Sequence, residues 1–214
     1  MTLYVCAGLY AEGNSDDEFL LPLLNRLLDE LLRTHYPAQH HLEDSVRLDD
    51  VGDKRVGRAH RIANAIAEYS GKCTLYVIHS DGAGDPAAAH AKSIAPGIAA
   101  AHLRWNEACI PGILVTVACL PVREIEAWLL VDPEVFRRLG AKNVELPVHP
   151  ERVTYPKPTL RELLKRTDWR DACPPFDFFG ERVSLAALRR LEAFRAFEAE
   201  LLAALHLLAK PGGR

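Results

Sequence analysis

The chain has 214 residues, 49% of them hydrophobic and 26% charged, with a formal net charge of −3. That profile excludes a disordered or membrane-spanning chain and suits one α/β domain with a helical extension better than two full domains. The charge gives no global attraction to nucleic acid, so a polyanionic partner would need a local basic patch and metal ions.

In chain order, Thr2 to Leu9 predicts a buried strand, and Ser15 with Glu18 predicts a capping box opening a helix over 15–33. Phe19, Leu20, Leu23, Leu24, Leu27, Leu28, Leu31 and Leu32 fall on one face of that helix, which must pack against a sheet. A short strand is expected near 42–48, then a helix over 56–69 closed by Gly71. The run Cys73–His79 reads as a central strand entering the turn Ser80-Asp81-Gly82. Residues 87–106 read as helix interrupted at Pro96-Gly97, 112–120 as the most strand-like run, and 124–130 as a helix after Pro121.

Beyond Val131 the pattern changes to helices (133–139, 159–167 and a long one capped by Ser184) joined by proline-rich segments, with no convincing strand. The βαβα alternation predicts a mostly parallel sheet with helices on both faces. The expected division is an α/β domain over 1–131 and a helical extension over 132–214, packed on the domain or on a partner. The five cysteines lack a CxxC spacing and read as reduced, with Cys6, Cys73 and Cys119 in apolar runs. With no signal-like segment at the start, a cytoplasmic protein is expected.

Acidic residues follow three separate strands: Glu12, then Asp81 and Asp85, then Glu124 and Glu126. In a parallel sheet such positions share one crevice. Two carboxylates about 5 Å apart repel by roughly 3 kcal/mol at an effective dielectric near 20, so the group must bind a cation, take up protons or find basic partners. Oxygen ligands favour Mg²⁺, Mn²⁺ or Ca²⁺ over zinc. Simpler readings stand beside this one. Glu12 and Asp16 suit a helix N-terminus, Asp81 to Asp85 suit a turn, and Glu124 suits a cap. Glu124 and Glu126 face different sides of a helix unless it starts between them, and Trp128 reads as core.

Lys54, Arg58 and Arg61 are spaced along one helical face, and Lys157 lies in a second basic region; either set suits phosphates or an ordinary solvated surface. His35, His40 and His41 read as a solvated loop. No P-loop, GxSxG or GxGxxG motif is present.

Glu12-Gly13 after the first strand, the acidic glycine turn after a central strand, and Pro121 to Leu129 with its Glu-x-Glu-Ala-Trp core resemble the Toprim domain. The likeness is nearest to small prokaryotic Toprim-like proteins related to OLD-type nucleases, and it extends to Pro156-Lys157-Pro158. The resemblance implies a Toprim-like fold and a Mg²⁺- or Mn²⁺-dependent nuclease acting on DNA or RNA, in prokaryotic (phage) defence beside a separate ATPase partner. It implies Glu12 as general acid or base and Asp81, Asp85, Glu124, Glu126 and His79 at the metal. His79 stands where the family has an aspartate, and a neutral imidazole suits Mn²⁺ or a transition metal better than Mg²⁺. The rival expectations are a catalytically weakened assembly or sensing subunit, including a homo-oligomer, and a small-substrate phosphate-ester hydrolase or nucleotidyl transferase.

Overall fold

The computed structural model describes residues 2–50, 55–171 and 173–210. Its centre is a four-stranded sheet ordered β4 (Val46–Arg47), β2 (Ala7–Tyr10), β5 (Leu75–His79) and β6 (Thr116–Cys119). Every pairing in it is parallel. A second parallel pair, β1 (Leu3–Val5) with β3 (His40–Leu42), continues the β2 and β4 segments backwards. The single first strand expected from sequence is therefore two. It breaks at Cys6, whose N–H donates to the Thr74 hydroxyl at 3.1 Å while its carbonyl accepts from the Thr74 N–H at 2.9 Å.

Side chains alternate across the sheet with the strand period of two. Ala7, Leu9, Leu75, Val77, Val117 and Cys119 face a large apolar cluster, whereas Tyr10, Tyr76, Ile78 and Ala118 face a smaller one. The smaller cluster is roofed by α2 (Arg58–Glu68) and α4 (Ala95–Glu107), through Ile62, Ile66, Ala101 and Trp105. The larger is roofed by α1 (Asn14–His35), whose expected leucine stripe is buried along its length. This places His79, two residues after Val77, on the α1 side of the sheet.

The segment before α4 is helical from α3 (Pro86–Ala89) onward, and its interruption is a π-turn over His90–Ile94 rather than a break at Pro96-Gly97. Pro96 lacks the donor for the preceding turn, which accounts for the local widening. Helix α2 ends at Glu68 with Tyr69 as its C-cap, short of Gly71.

After α5 (Glu126–Leu129) come α6 (Pro133–Arg138), α7 (Pro156–Leu164), α8 (Phe176–Arg182), α9 (Leu185–Leu188) and α10 (Glu192–Leu208). These join the larger cluster through Phe136, Leu160, Phe179, Phe194, Leu201 and Leu205, so the extension packs on the α/β layer. Helix α8 docks tightly on α1: a Cβ at Gly180 would lie 2.3 Å from the Phe19 carbonyl oxygen. Arg26 locks the contact by donating to the Gly180 and Val183 carbonyls, each at 2.8 Å. Helix α8 was not expected from sequence, and the helix expected after Ser184 is divided between α9 and α10. Helix α10 lies along the outer strand, where Glu200 accepts the outward N–H of Ala118 at 3.0 Å and covers a sheet edge that would otherwise be open.

Candidate active site

The chain leaves β2 at Tyr10 and enters α1 through Gly13, whose extended backbone (φ −142°) makes it the N-cap. The Gly13 N–H donates to Asp16 Oδ2 at 3.1 Å. The helix thus begins before Ser15, and the acid closing its first turn is Asp16 rather than Glu18. This turns the first helical carboxylates back toward the strand ends, and Asp16 and Asp17 are both buried.

Glu12 is held at the mouth of that junction. Its Oε1 accepts the Ser80 hydroxyl at 2.7 Å and pairs with Arg58 Nη1 at 3.0 Å. Arg58 Nη2 also donates to the His79 carbonyl at 2.7 Å, so one guanidinium ties the start of α2 to the ends of β2 and β5.

The loops after β5 and β6 are laced together. Ser80 N–H donates to the Cys119 carbonyl, Gly82 to Pro121, Gly84 to Val122 and Ala83 to Arg123, over 2.8–3.2 Å. Glycine is required at position 82, because a Cβ there would lie 2.3 Å from the Pro121 oxygen and 2.6 Å from the Val122 oxygen. The lacing sets Asp81 beside the segment carrying Glu124 and Glu126. The N-cap of α5, Ile125, lies between the two acids, and both carboxylates reach the same lysine ammonium. Lys157 Nζ, from the first turn of α7, stands 3.4 Å from Glu124 and 3.8 Å from Glu126.

Behind this surface lies His79, fully buried, with Nδ1 3.6 Å from Asp16 Oδ2 and Nε2 3.7 Å from Asp81 Oδ1. Both separations exceed a hydrogen bond. Neither ring nitrogen has a hydrogen-bond partner, and Asp81 Oδ1 and Glu126 Oε2 are likewise buried without one.

The electrostatics follow from crowding. Burial, then the nearby carboxylates of Asp16, Glu126 and Glu12, push Asp81 up to about 7 against the pull of Lys157. Burial raises Asp16 and Glu126 as well, with Lys157 opposing in both. Burial, then the positive charges of Arg58 and Lys157, lowers His79 to about 3, so the imidazole is neutral. Burial lowers the Lys157 ammonium, but Glu126, Glu124 and Asp81 outweigh it and the net movement is upward.

Of the residues expected at the site, Glu12, His79, Asp81, Glu124, Glu126, Arg58 and Lys157 are drawn together. Asp85 is not: its side chain accepts the Ala88 N–H at 3.0 Å and caps α3. Arg58 and Lys157 face the carboxylates rather than forming a free phosphate track, because the helix starts bearing them abut the strand ends. Arg61 pairs with Asp50 at 2.6 Å. Lys54 lies outside the described residues. Trp128 is core, packed edge-on to Phe194 with centroids 5.2 Å apart. His40 and His41 belong to β3 rather than a loop, and His41 stacks on Tyr4. The residues that sequence reasoning missed are Asp16 and Ser80. The available signal was spacing, since Asp16 lies one helical turn after Glu12 and Ser80 directly follows a strand that ends at the crevice.

Partnerless buried carboxylate oxygens, on acids raised by burial and then by one another, have the chemistry that a hard divalent cation neutralises. Among the described residues no group of three or more His, Cys, Asp or Glu is placed to hold a metal ion, so an ion here would take most of its shell from water or substrate oxygens. Comparison of the chain with family profiles, characterised proteins and solved structures returned no match.

Proposed function

We propose that the chain is a Toprim-like, divalent-cation-dependent phosphodiesterase acting on DNA or RNA. The observation that carries the reading is the convergence of Asp16, Asp81 and Glu126, from three strand ends, on one buried and partly uncompensated acidic crevice. The order of the sequence motifs supports it. Asp81 and Glu126, with Asp16 and Glu124 beside them, would hold Mg²⁺ or Mn²⁺. When bound, the ion neutralises the carboxylates and stabilises negative charge developing on a phosphodiester.

The protein's own groups supply the rest. Glu12, at the exposed rim, exchanges a proton with the attacking or departing oxygen, while Arg58 and the Ser80 hydroxyl fix its direction. Lys157, half-exposed, is placed to meet a phosphate oxygen as well as its two glutamates. A nucleotide-driven step in defence would fall to a separate ATPase, since the sequence carries no P-loop.

A second reading is an assembly subunit without chemistry. It is favoured by Arg58 and Lys157, which already neutralise part of the acidic cluster. Cleavage of supercoiled plasmid and of structured RNA, with Mg²⁺ or Mn²⁺, decides between the two. The nuclease reading expects cleavage that Glu12→Gln and Asp81→Asn each abolish while the far-UV circular dichroism is unchanged. Equal cleavage by all three proteins, or none by the wild type with either ion, refutes it.

A further inference from the structure

We infer that the groove at the C-terminal end of α7 binds single-stranded nucleic acid, with the Trp169 ring as its base-stacking surface and Arg161, Lys165 and Arg170 as its phosphate contacts. The inference takes its partner class from the reading above and adds a strand state and a surface outside the acidic crevice.

Tryptophan is a large, mostly apolar side chain that folding normally removes from water. Trp105 and Trp128 follow that rule, being 7% and 0% exposed and packed against the rings of Tyr76 and Phe194. Trp169 is only partly buried, and among the described residues no other ring packs on it. It is nonetheless held in place. Its backbone N–H donates to the Thr167 hydroxyl at 3.1 Å, and its indole N–H donates to the Cys173 carbonyl at 2.9 Å. With both N–H groups satisfied, what the side chain offers a ligand is the apolar face of a fixed ring.

The groove that Trp169 lines has a volume of about 470 Å³, and three cations, Arg161, Lys165 and Arg170, line it against one acid, Asp171. Arg170 Nη1 donates to the Thr167 and Trp169 carbonyls at 2.7 and 3.0 Å, which sets the guanidinium beside the ring. Lys165 pairs with Glu162 at 2.5 Å, but both side chains are well exposed, and such a pair yields readily to a phosphate. A net positive groove in a chain of charge −3 is a local reversal that favours a polyanion. The ring narrows the choice. Stacking on indole needs a base whose face is open, which a single strand presents and a duplex does not.

The groove is also continuous with the crevice. Lys157, Arg161 and Lys165 recur every fourth residue along α7 and its C-cap, and all three are exposed. They therefore lie along one side of the helix and span about 12 Å. Because Lys157 stands beside Glu124 and Glu126, the row leads from the acids to Trp169.

The test is titration of the full chain in EDTA, where binding is read apart from cleavage, with an oligothymidylate of about 16 nucleotides and with a duplex of the same length. The expected result is quenching of tryptophan emission by the single strand, since Trp169 is the accessible indole, with binding at least tenfold tighter than to the duplex. Trp169→Ala should weaken binding of a labelled oligothymidylate by about tenfold or more. Arg161→Ala, at an exposed position that leaves the fold intact, should lower the salt slope of that binding by about 0.7. Absence of quenching at saturation, unchanged affinity in both variants, or equal quenching by polyglutamate overturns the inference. Cleavage without quenching removes this groove and leaves the nuclease reading standing; quenching without cleavage does the reverse.

Discussion

The Arg58 guanidinium and the Glu12 carboxylate are paired at 3.0 Å across the ends of two different elements, and the same arginine donates to the His79 carbonyl. Arg58 is thus a positioning residue for Glu12. Replacing it with alanine should lower turnover by about 10²-fold, the low end of what a well-placed acid or base contributes. Binding should respond differently. A lost phosphate contact reduces the salt slope of nucleic-acid affinity by about one, whereas Arg58→Ala should leave that slope unchanged. Filter binding across a salt series, beside single-turnover cleavage, separates these effects.

The raised acids make the metal-free protein sensitive to pH. Asp81 has a folded value of about 7 against an ordinary 3.8, so between those limits the folded chain keeps a proton that the unfolded chain has released. Stability from this group is complete below about pH 4 and is lost as pH rises through about 7, a decline on the order of a few kcal/mol. Asp16 and Glu126 act in the same direction. Denaturant titration in EDTA should show stability falling from pH 4.5 to 7.5, and Asp81→Asn should flatten the fall.

Gly82 fixes the loop that presents Asp81. Its N–H is bonded to the Pro121 carbonyl, and the backbone oxygens of Pro121 and Val122 leave no space for a side chain. Gly82→Ala should cost about 1–3 kcal/mol, the usual scale for overpacking. It should also weaken cation binding, because the Asp81 and Glu126 loops must part to admit the methyl group. Thermal melts with and without Mn²⁺ measure both effects.

Lys157 is the internal counter-charge of Glu124 and Glu126. In Lys157→Ala the acids lose that partner, so stability in EDTA should fall. Added Mn²⁺ should then raise the melting temperature by more than it does in the wild type, since the ion takes over the neutralisation. Equal metal-induced shifts in the two proteins would mean that the lysine and the ion do not share a site.

The central strands were legible because β-branched and aromatic runs of strand length are hard to satisfy otherwise, and the leucine stripe of α1 has helical spacing that only a buried face explains. The start of α1 was misread because Ser15 and Glu18 fit a capping box by spacing, while the actual cap depends on the extended backbone of Gly13 and on Asp16 turning back to it. The basic residues failed for a related reason. Spacing indicates that Arg58 and Arg61 lie near one face, but not that Glu12 and Asp50 stand opposite. The break between α9 and α10 leaves the apolar periodicity intact, and the new helix start is satisfied by Glu151, 41 and 42 residues away, which accepts the N–H groups of Glu192 and Ala193. Such long-range partners leave no local mark in a sequence.

The most direct test of the central claim, that the acids after three strands form one cation site, is the anomalous difference map of a crystal soaked in Mn²⁺. The account predicts a peak in contact with the Asp81 and Glu126 carboxylates. Full-occupancy Mn²⁺ elsewhere, with no peak at Asp81, would contradict it.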